Sequence, residues 1–191
     1  MRCEALSLPG LYMVHLAERR DERGAFTRLF CAEALQAAGV SKPIAQLNHS
    51  CTRLQGTVRG LHFQTGTAAE TKVIRCLRGA VWDVAVDLRA NSPTFLQWQA
   101  VALRADEPAL VVIPEGCAHG FQTLSDDVEL LYAHTAPYTP GAEGGVHILD
   151  ERLNIRWPLP VVCQSERDQL LPRLAADFTG LLQAGEQPFH F

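Results

Sequence analysis

The sequence predicts a single mainly β domain, arranged as a sandwich or barrel with short peripheral helices. Its 191 residues are 47% hydrophobic, which is enough for a sizeable core. Short alternating or apolar stretches follow one another at roughly even spacing, separated by glycine, proline, asparagine or charged pairs. No internal repeat or low-complexity linker divides the chain, so we expect residues 1–191 to form one domain with its core over about 20–160.

The first expected elements are a charged turn at 21–24, an alternating stretch at 25–30 and a short helix at 32–38 that Gly39 closes. From there the chain is β-rich. We expect strands at 45–51, 57–64, 71–77, 80–88, 97–103, 109–113, 120–124 and 128–134. The tail, from about 168 to 185, has a helical pattern that Pro172 interrupts.

Composition and charge exclude several classes of function. The formal net charge is -4 and no block of lysine or arginine occurs, which argues against a nucleic-acid-binding surface. No segment approaches the roughly 18 apolar residues of a membrane span, so we expect a cytoplasmic protein with no membrane partner. The six cysteines are scattered without CxxC pairs, which predicts reduced thiols, and we expect Cys117 to pack as a small apolar side chain.

Two glycine-punctuated segments, 59–64 and 113–121, each place a histidine inside apolar β-structure. A histidine titrates near neutral pH, so His62 and His119 are candidates for proton transfer. Arg59 lies three positions before His62, on the opposite strand face unless the backbone bulges at Gly60. Either histidine alone is more often structural, but the two segments together favour a site.

A metal site is the next possibility to weigh. The segment from Pro114 to His119 has a turn pattern typical of cupin barrels, which often bind a metal through three histidines and a carboxylate. Gln64 stands where a second imidazole would be expected, and an amide oxygen replaces imidazole poorly at transition metals. Glu70 is the one nearby carboxylate after His62. We therefore predict a cupin/jelly-roll β-barrel whose acid–base pocket uses no metal.

Such a pocket would suit proton abstraction next to a carbonyl. That chemistry needs a base, a cation or donor at the oxygen that gains charge and, for inversion, an acid on the opposite face. His62, Lys72 and Tyr132 fit these roles in that order. The structural alternatives are a solvated surface cation for Lys72 and a barrel-wall aromatic for Tyr132.

Carboxylates are expected to orient the histidines. Asp168 could fix the tautomer of His62, although it could equally cap a helix. Asp83 and Asp87 share one face of an apolar strand, and Asp83 could orient His119. Because burying an unpaired carboxylate is costly, both aspartates must face solvent or have partners.

Ordered motifs along most of the chain resemble a known family. They are Asp21-x-Arg23-Gly24-x-Phe26, Gln46-x-Asn48-x-Ser50, Arg59-Gly60-Leu61-His62, Lys72, Gly79-Ala80-x-x-Asp83-Val84, the segment from Pro114 to Phe121, and the Tyr132 strand. From Arg23 to about Asp168, the chain resembles dTDP-4-dehydrorhamnose 3,5-epimerases and related nucleotide-sugar epimerases. The resemblance implies a metal-independent, cofactor-free cupin that dimerises through β-structure. Such a protein inverts carbons flanking the C4 ketone of a dTDP-4-keto-6-deoxyhexose, in deoxysugar biosynthesis of the dTDP-rhamnose type.

By position, the resemblance implies that His62 is the general base with the help of Asp168, and that Tyr132 is the acid on the other face. Lys72 would stabilise the enolate at O4. The implied substrate-binding residues are Arg59, His119, Gln46 and Asn48 at the diphosphate and sugar, Tyr138 stacked on thymine with Glu143 nearby, and Arg23 and Phe26 reaching the nucleotide from the neighbouring subunit. Cations suit a diphosphate, and an aromatic face suits a nucleobase.

Several positions depart from the resembled pattern. Residues 65–69 replace a common proline pair, Glu70 replaces a common glutamine, and Arg28 replaces a frequent glutamate. The run 146–151, including His147, replaces an Arg-Trp-Asn-Asp-Pro-like run. These departures leave open a 3-only or 5-only epimerase and a different nucleotide. A ketoisomerase with similar acid–base residues and a noncatalytic sugar-nucleotide-binding cupin are the competing classes.

Overall fold

A computed structural model describes residues 1–182 of the chain. Most of its regular structure is β. The strands are β1 Arg2–Ala5, β2 Tyr12–His15, β3 Glu18–Asp21, β4 Gly24–Thr27, β5 Gln46–Thr52, β6 Val58–Gln64, β7 Lys72–Arg78, β8 Ala80–Asp87, β9 Trp98–Arg104, β10 Ala109–Ile113, β11 Cys117–Thr123, β12 Val128–His134 and β13 Glu143–Gly145. The helices are short: α1 Ala32–Gln36, α2 Glu166–Gln169 and a 3-10 turn at Gly66–Ala68.

The strands form two antiparallel sheets that face each other. The six-stranded sheet has the order β1-β2-β10-β7-β12-β5, and the five-stranded sheet has the order β13-β6-β11-β8-β9. A separate hairpin joins β3 to β4. The sheets are not closed onto each other, so the molecule is an open jelly-roll sandwich. The predicted mainly β fold with short peripheral helices is confirmed.

The inner faces of the sheets make a core at one end of the sandwich and a pocket at the other. On β12, alternation places Val128, Leu130, Tyr132 and His134 on one face. Val128 and Leu130 are buried in the core, and burial of each side chain stabilises the fold by about 1.5–3 kcal/mol. Tyr132 and His134 line the pocket. Lys72 lies opposite His134 on β7 and lines the same pocket.

The strand predictions agree with the structure to within a few residues. The largest shift is at β11, which was expected to start at Gly120 but starts at Cys117, because it pairs with β8 over all seven residues. Cys117 itself is buried in the core, as expected, and burial raises the pKa of its thiol to about 12. Short strands β1, β2, β3 and β13 were not expected, since four residues or fewer give too little alternation to recognise.

The prediction of a helical tail at about 168–185 is wrong for the residues that the structure describes. Helix α2 ends at Gln169, and residues 170–182 contain no helix. Pro172 has no N–H to continue the helix. The segment instead bonds to neighbouring loops, where Leu174 N donates to Asp150 Oδ2 and Leu181 N donates to the Leu88 carbonyl. Residues 183–185 of the prediction lie outside the described residues.

No helix within residues 1–182 is both long and apolar enough to cross a membrane.

Candidate active site

An open cavity of about 380 Å³ lies between the two sheets. All of the predicted site residues line it except Arg23, Phe26 and Asp83. Its walls come from strands of both sheets, with α2 closing one side. The cavity therefore brings together residues that are more than a hundred positions apart in the sequence.

His62 and Asp168 form a hydrogen-bonded pair in this cavity. His62 Nε2 lies 2.8 Å from Asp168 Oδ1, and the second carboxylate oxygen accepts the Gly60 N–H at 3.1 Å. Burial tends to raise the pKa of Asp168, but the hydrogen bonds from His62 and Gly60 outweigh it, and the pKa is lowered. The helix-cap alternative for Asp168 is wrong, because Ser165 is the N-cap and accepts the Asp168 N–H at 3.1 Å.

A bulge in β6 turns Arg59 and His62 into the same cavity. His62 pairs with His119 and Arg59 pairs with Phe121, so three steps along β6 match two along β11. Gly60 makes this possible: its φ is 111°, and a Cβ there would lie 2.7 Å from the Cα of the facing glycine on β11. The guanidinium of Arg59 is held by bonds to the Thr52 hydroxyl and the Cys51 carbonyl.

Lys72 is only 7% exposed, so the surface-cation alternative is wrong. Its Nζ donates to the His62 carbonyl at 3.1 Å and lies 3.5 Å from Glu70 Oε1. Burial lowers its pKa, since a low-dielectric environment disfavours the charged form.

Tyr132 reaches the cavity from the six-stranded sheet. Burial raises the pKa of its hydroxyl, which therefore stays protonated and can donate a proton. The Ser50 hydroxyl donates to Tyr132 Oη at 3.4 Å. Its ring meets the His119 ring edge-on at 6.2 Å and stacks with His134 at 6.0 Å.

His119 is oriented by Asp83, as expected. Its Nε2 lies 2.9 Å from Asp83 Oδ2, and Asp83 is 1% exposed behind it. Burial lowers the pKa of the His119 imidazole. The second aspartate of the strand, Asp87, has a different role, because it binds Arg89 and nearby hydroxyls in a loop.

Amide and aromatic groups line the mouth of the cavity. Gln46 Nε2 donates to Asn48 Oδ1 at 3.0 Å, and Gln46 Oε1 accepts the Tyr138 N–H at 2.9 Å. Tyr138 is 52% exposed, which leaves its ring free for contact. Glu143 is ion-paired with Arg167 at 2.5 Å; burial tends to raise the Glu143 pKa, but hydrogen bonds from Arg167 and Tyr138 lower it.

Several residues that line the cavity were not among the predicted site residues. Strand alternation could have found two of them, since Ser50 follows Asn48 by two positions and His134 follows Tyr132 by two. Arg167 gave no signal, because its partner lies more than twenty residues away in sequence.

Arg23 and Phe26 lie outside the cavity of their own chain. Both are on the β3–β4 hairpin, where Arg23 pairs with Asp21 at 2.5 Å and Phe26 is 70% exposed. Their contact with substrate in a neighbouring subunit stays a prediction.

The donors that a cupin metal site would use have other partners here. Gln64 Nε2 donates to the Ala68 and Pro137 carbonyls, so this amide supports the cavity wall. Within residues 1–182, one group of histidine, cysteine and carboxylate donors is close enough to share an ion. It consists of His49, Cys51 and Glu129 on the outer face of the six-stranded sheet, outside the cavity.

Comparisons with known proteins agree on one family. The sequence profile described as dTDP-4-dehydrorhamnose 3,5-epimerase matches residues 5–176. The dTDP-4-dehydrorhamnose 3,5-epimerase of Salmonella typhimurium is 42% identical over 156 residues, which are 81% of this chain and 85% of that protein. The dTDP-4-dehydrorhamnose 3-epimerase of Streptomyces niveus is 37% identical over 185 residues, covering 95% of this chain and 88% of that protein. The fold also matches a crystal structure of dTDP-6-deoxy-D-glucose-3,5-epimerase from Legionella pneumophila in complex with dTDP-4-keto-L-rhamnose. The TM-score is 0.88 at 33% sequence identity, and the match covers 97% of this chain and 99% of that one.

Proposed function

The chain belongs to the dTDP-4-dehydrorhamnose 3,5-epimerase family, and on that premise we propose an isomerase acting on a dTDP-4-keto-6-deoxyhexose in deoxysugar biosynthesis. It inverts C3, C5 or both by removing a proton beside the C4 ketone and returning one on the opposite face. The reaction needs an acid, a base and an enolate-stabilising cation from the protein.

One observation carries this proposal: the base and the acid stand on different sheets. His62 belongs to β6 of the five-stranded sheet, and Tyr132 belongs to β12 of the six-stranded sheet. A sugar held between the sheets therefore presents one face to the imidazole and the other to the phenol. Inversion requires this arrangement, because a proton returned by the base itself would restore the original configuration.

His62 is the proposed general base. Its Nε2 is bonded to Asp168, which fixes the tautomer with Nε2–H donating and Nδ1 free to take a proton. Asp168 also stabilises the imidazolium that forms, as a carboxylate does beside a catalytic histidine.

Lys72 and Tyr132 complete the proposed proton-transfer steps. The Lys72 ammonium is placed to stabilise negative charge at O4 when the adjacent C–H bond breaks. The Tyr132 hydroxyl, protonated because of its burial, then donates to the carbon from the other side.

The remaining predicted residues are proposed to bind the substrate. Arg59, His119, Gln46 and Asn48 hold the diphosphate and the sugar, and Tyr138 stacks on the thymine with Glu143 beside it. We also propose a homodimer in which Arg23 and Phe26 of one subunit reach the nucleotide bound by the other.

The test is proton NMR of dTDP-4-keto-6-deoxyglucose in deuterated water with the purified protein. Loss of the C3 and C5 signals with inversion is expected for a 3,5-epimerase, and loss of one signal identifies a single-site enzyme such as the Streptomyces niveus relative is named to be. A 3-keto product would indicate a ketoisomerase. Tight binding without any exchange would contradict the proposal and favour a noncatalytic sugar-nucleotide-binding protein.

A further inference from the structure

The buried Lys72 ammonium has one close carboxylate. Among residues 1–182, Glu70 is the one carboxylate with an oxygen within 4.0 Å of Nζ, at 3.5 Å. The other close partner of Nζ is the uncharged His62 carbonyl at 3.1 Å. Because a buried ammonium loses its proton readily unless a negative charge lies nearby, this contact matters for the charge on Lys72.

Several other titratable groups surround Lys72, and the carboxylates among them already have other partners. The groups that face it from the surrounding strands are His62 on β6, Asp83 on β8, Cys117 and His119 on β11, His134 on β12 and Glu143 on β13. The Asp83 carboxylate bonds to His119, and the Glu143 carboxylate bonds to Arg167. Glu70 therefore supplies the nearest negative charge.

Glu70 also binds a histidine with its second oxygen. Oε2 lies 2.8 Å from His134 Nδ1, and His134 Nε2 lies 3.3 Å from the Asn48 amide nitrogen. With Nδ1–H donated to Glu70, Nε2 is left to accept from Asn48. Burial tends to raise the pKa of Glu70, but its bond to His134 and the charge of Lys72 lower it, so the carboxylate is ionised near neutral pH.

We propose that Glu70 is a positioning residue that keeps the Lys72 ammonium charged inside the pocket and, through His134, orients the Asn48 amide. A charged Lys72 would stabilise negative charge at O4 of the sugar, and this part of the inference rests on the proposed function. The part that concerns the charge of Lys72 does not, and it can be measured without substrate.

The chain offers a direct measurement, because Lys42 and Lys72 are its only lysines. Protein labelled with ¹³C-lysine gives two sets of side-chain signals, and their shifts against pH report the pKa of each amine. In Glu70→Gln, which keeps the shape but removes the charge, we expect the Lys72 midpoint to fall by at least about one pH unit. The Lys42 midpoint should not move, since Lys42 pairs with Glu115 outside the cavity.

Two further variants test whether the effect is specific to the charge at position 70. Glu129→Gln is the matched control, because Glu129 also pairs with a histidine, His49, at 3.2 Å, but on the outer face of the sheet. It should leave both lysine midpoints at their wild-type values. Glu70→Asp keeps the charge, so its Lys72 midpoint should stay within about half a pH unit of wild type, and this variant decides the question if Glu70→Gln does not fold.

A catalytic readout follows the same shift. If turnover needs charged Lys72, the alkaline limb of kcat against pH in Glu70→Gln should move to lower pH by the amount that the Lys72 midpoint moves.

An unchanged Lys72 midpoint in Glu70→Gln, or a Lys72 midpoint in Glu70→Asp that falls by a full pH unit, would overturn the proposal. If no variant, including wild type, exchanges the sugar protons while the Lys72 midpoint shifts as expected, the proposed function fails and the role of Glu70 stands.

Discussion

Each histidine in the pocket is bonded to a buried carboxylate. The three pairs are His62–Asp168 at 2.8 Å, His119–Asp83 at 2.9 Å and His134–Glu70 at 2.8 Å. A carboxylate bonded to one ring nitrogen fixes the tautomer and the ring orientation, and so decides which nitrogen meets the substrate. His62 and His119 bond through Nε2, whereas His134 bonds through Nδ1, so the third ring presents its other nitrogen to the pocket.

Removing the Tyr132 hydroxyl should separate exchange from inversion. In Tyr132→Phe, His62 can still remove a proton and return deuterium on its own face, but no acid serves the opposite face. We expect inversion to slow by about 10²–10³-fold while substrate affinity changes little. Proton NMR in deuterated water measures exchange and configuration in one experiment. An unchanged inversion rate would show that another group is the acid, and Tyr12→Phe, outside the cavity, is the control.

At the scale of elements, the β6 bulge determines whether Arg59 and His62 share a face. In Gly60→Ala, the new Cβ would lie 2.7 Å from the His119 carbonyl oxygen and from the Cα of Gly120, besides requiring a positive φ. We expect a loss of about 2–4 kcal/mol in the free energy of unfolding, measured by urea denaturation, and loss of turnover.

Gly141→Ala is the matched control for this prediction. Gly141 also has a positive φ, of 89°, but a Cβ there meets nothing within 4 Å. It should cost only about 1 kcal/mol, the cost of backbone strain alone. If both substitutions lower the free energy of unfolding equally, the close approach of β6 and β11 is not the reason why alanine is destabilising at position 60.

The same elements show what the sequence could and could not predict. Alternation predicted β12 to the residue, because partly exposed and buried side chains alternate along much of it. Strand β10 was also predicted to the residue, but from a continuous apolar run between Pro108 and Pro114 that is buried on both faces. The prediction of a helical tail was wrong because its leucines are spaced as in a helix, whereas its backbone hydrogen-bonds to neighbouring loops. The pairing of His62 with Asp168 depends on how α2 packs against β6, which no local pattern encodes, so only the family resemblance favoured it over a helix cap.

At the scale of the whole molecule, acid should destabilise the fold through its buried carboxylates. The pKa values of Asp87 and Asp168 are lowered, because bonds from Arg89 and from His62 outweigh the opposing effect of burial. A lowered folded pKa contributes stability above the unfolded value, near 3.9 for aspartate, and that stability is lost as pH falls. We expect the free energy of unfolding in urea to drop steadily from about pH 5 downward. Asp87→Asn should show a shallower drop, and an identical slope would contradict this account.

The proposed dimer can be tested by mixing two defective subunits. His62→Ala should be inactive, whereas the double variant Arg23→Ala/Phe26→Ala should keep its base and show a KM at least about tenfold higher. In a mixed dimer, the intact hairpin of the first variant serves the intact pocket of the second. Adding an excess of inactive His62→Ala after subunit exchange should therefore lower the KM toward the wild-type value. No change on mixing would show that the hairpins serve no neighbouring pocket.

The interleaving of strands between the two sheets has a consequence for synthesis of the chain. From β5 to β13, the chain crosses repeatedly from one sheet to the other, and Asp168 follows its partner His62 by 106 residues. As the ribosome releases the chain from its N-terminus, neither wall of the cavity is complete until β12 and β13 emerge. The base lacks its carboxylate until later still. A nascent chain that ends before α2 can thus hold both sheets and still lack the His62–Asp168 pair, so the proposed activity depends on the emergence of a short helix that belongs to neither sheet.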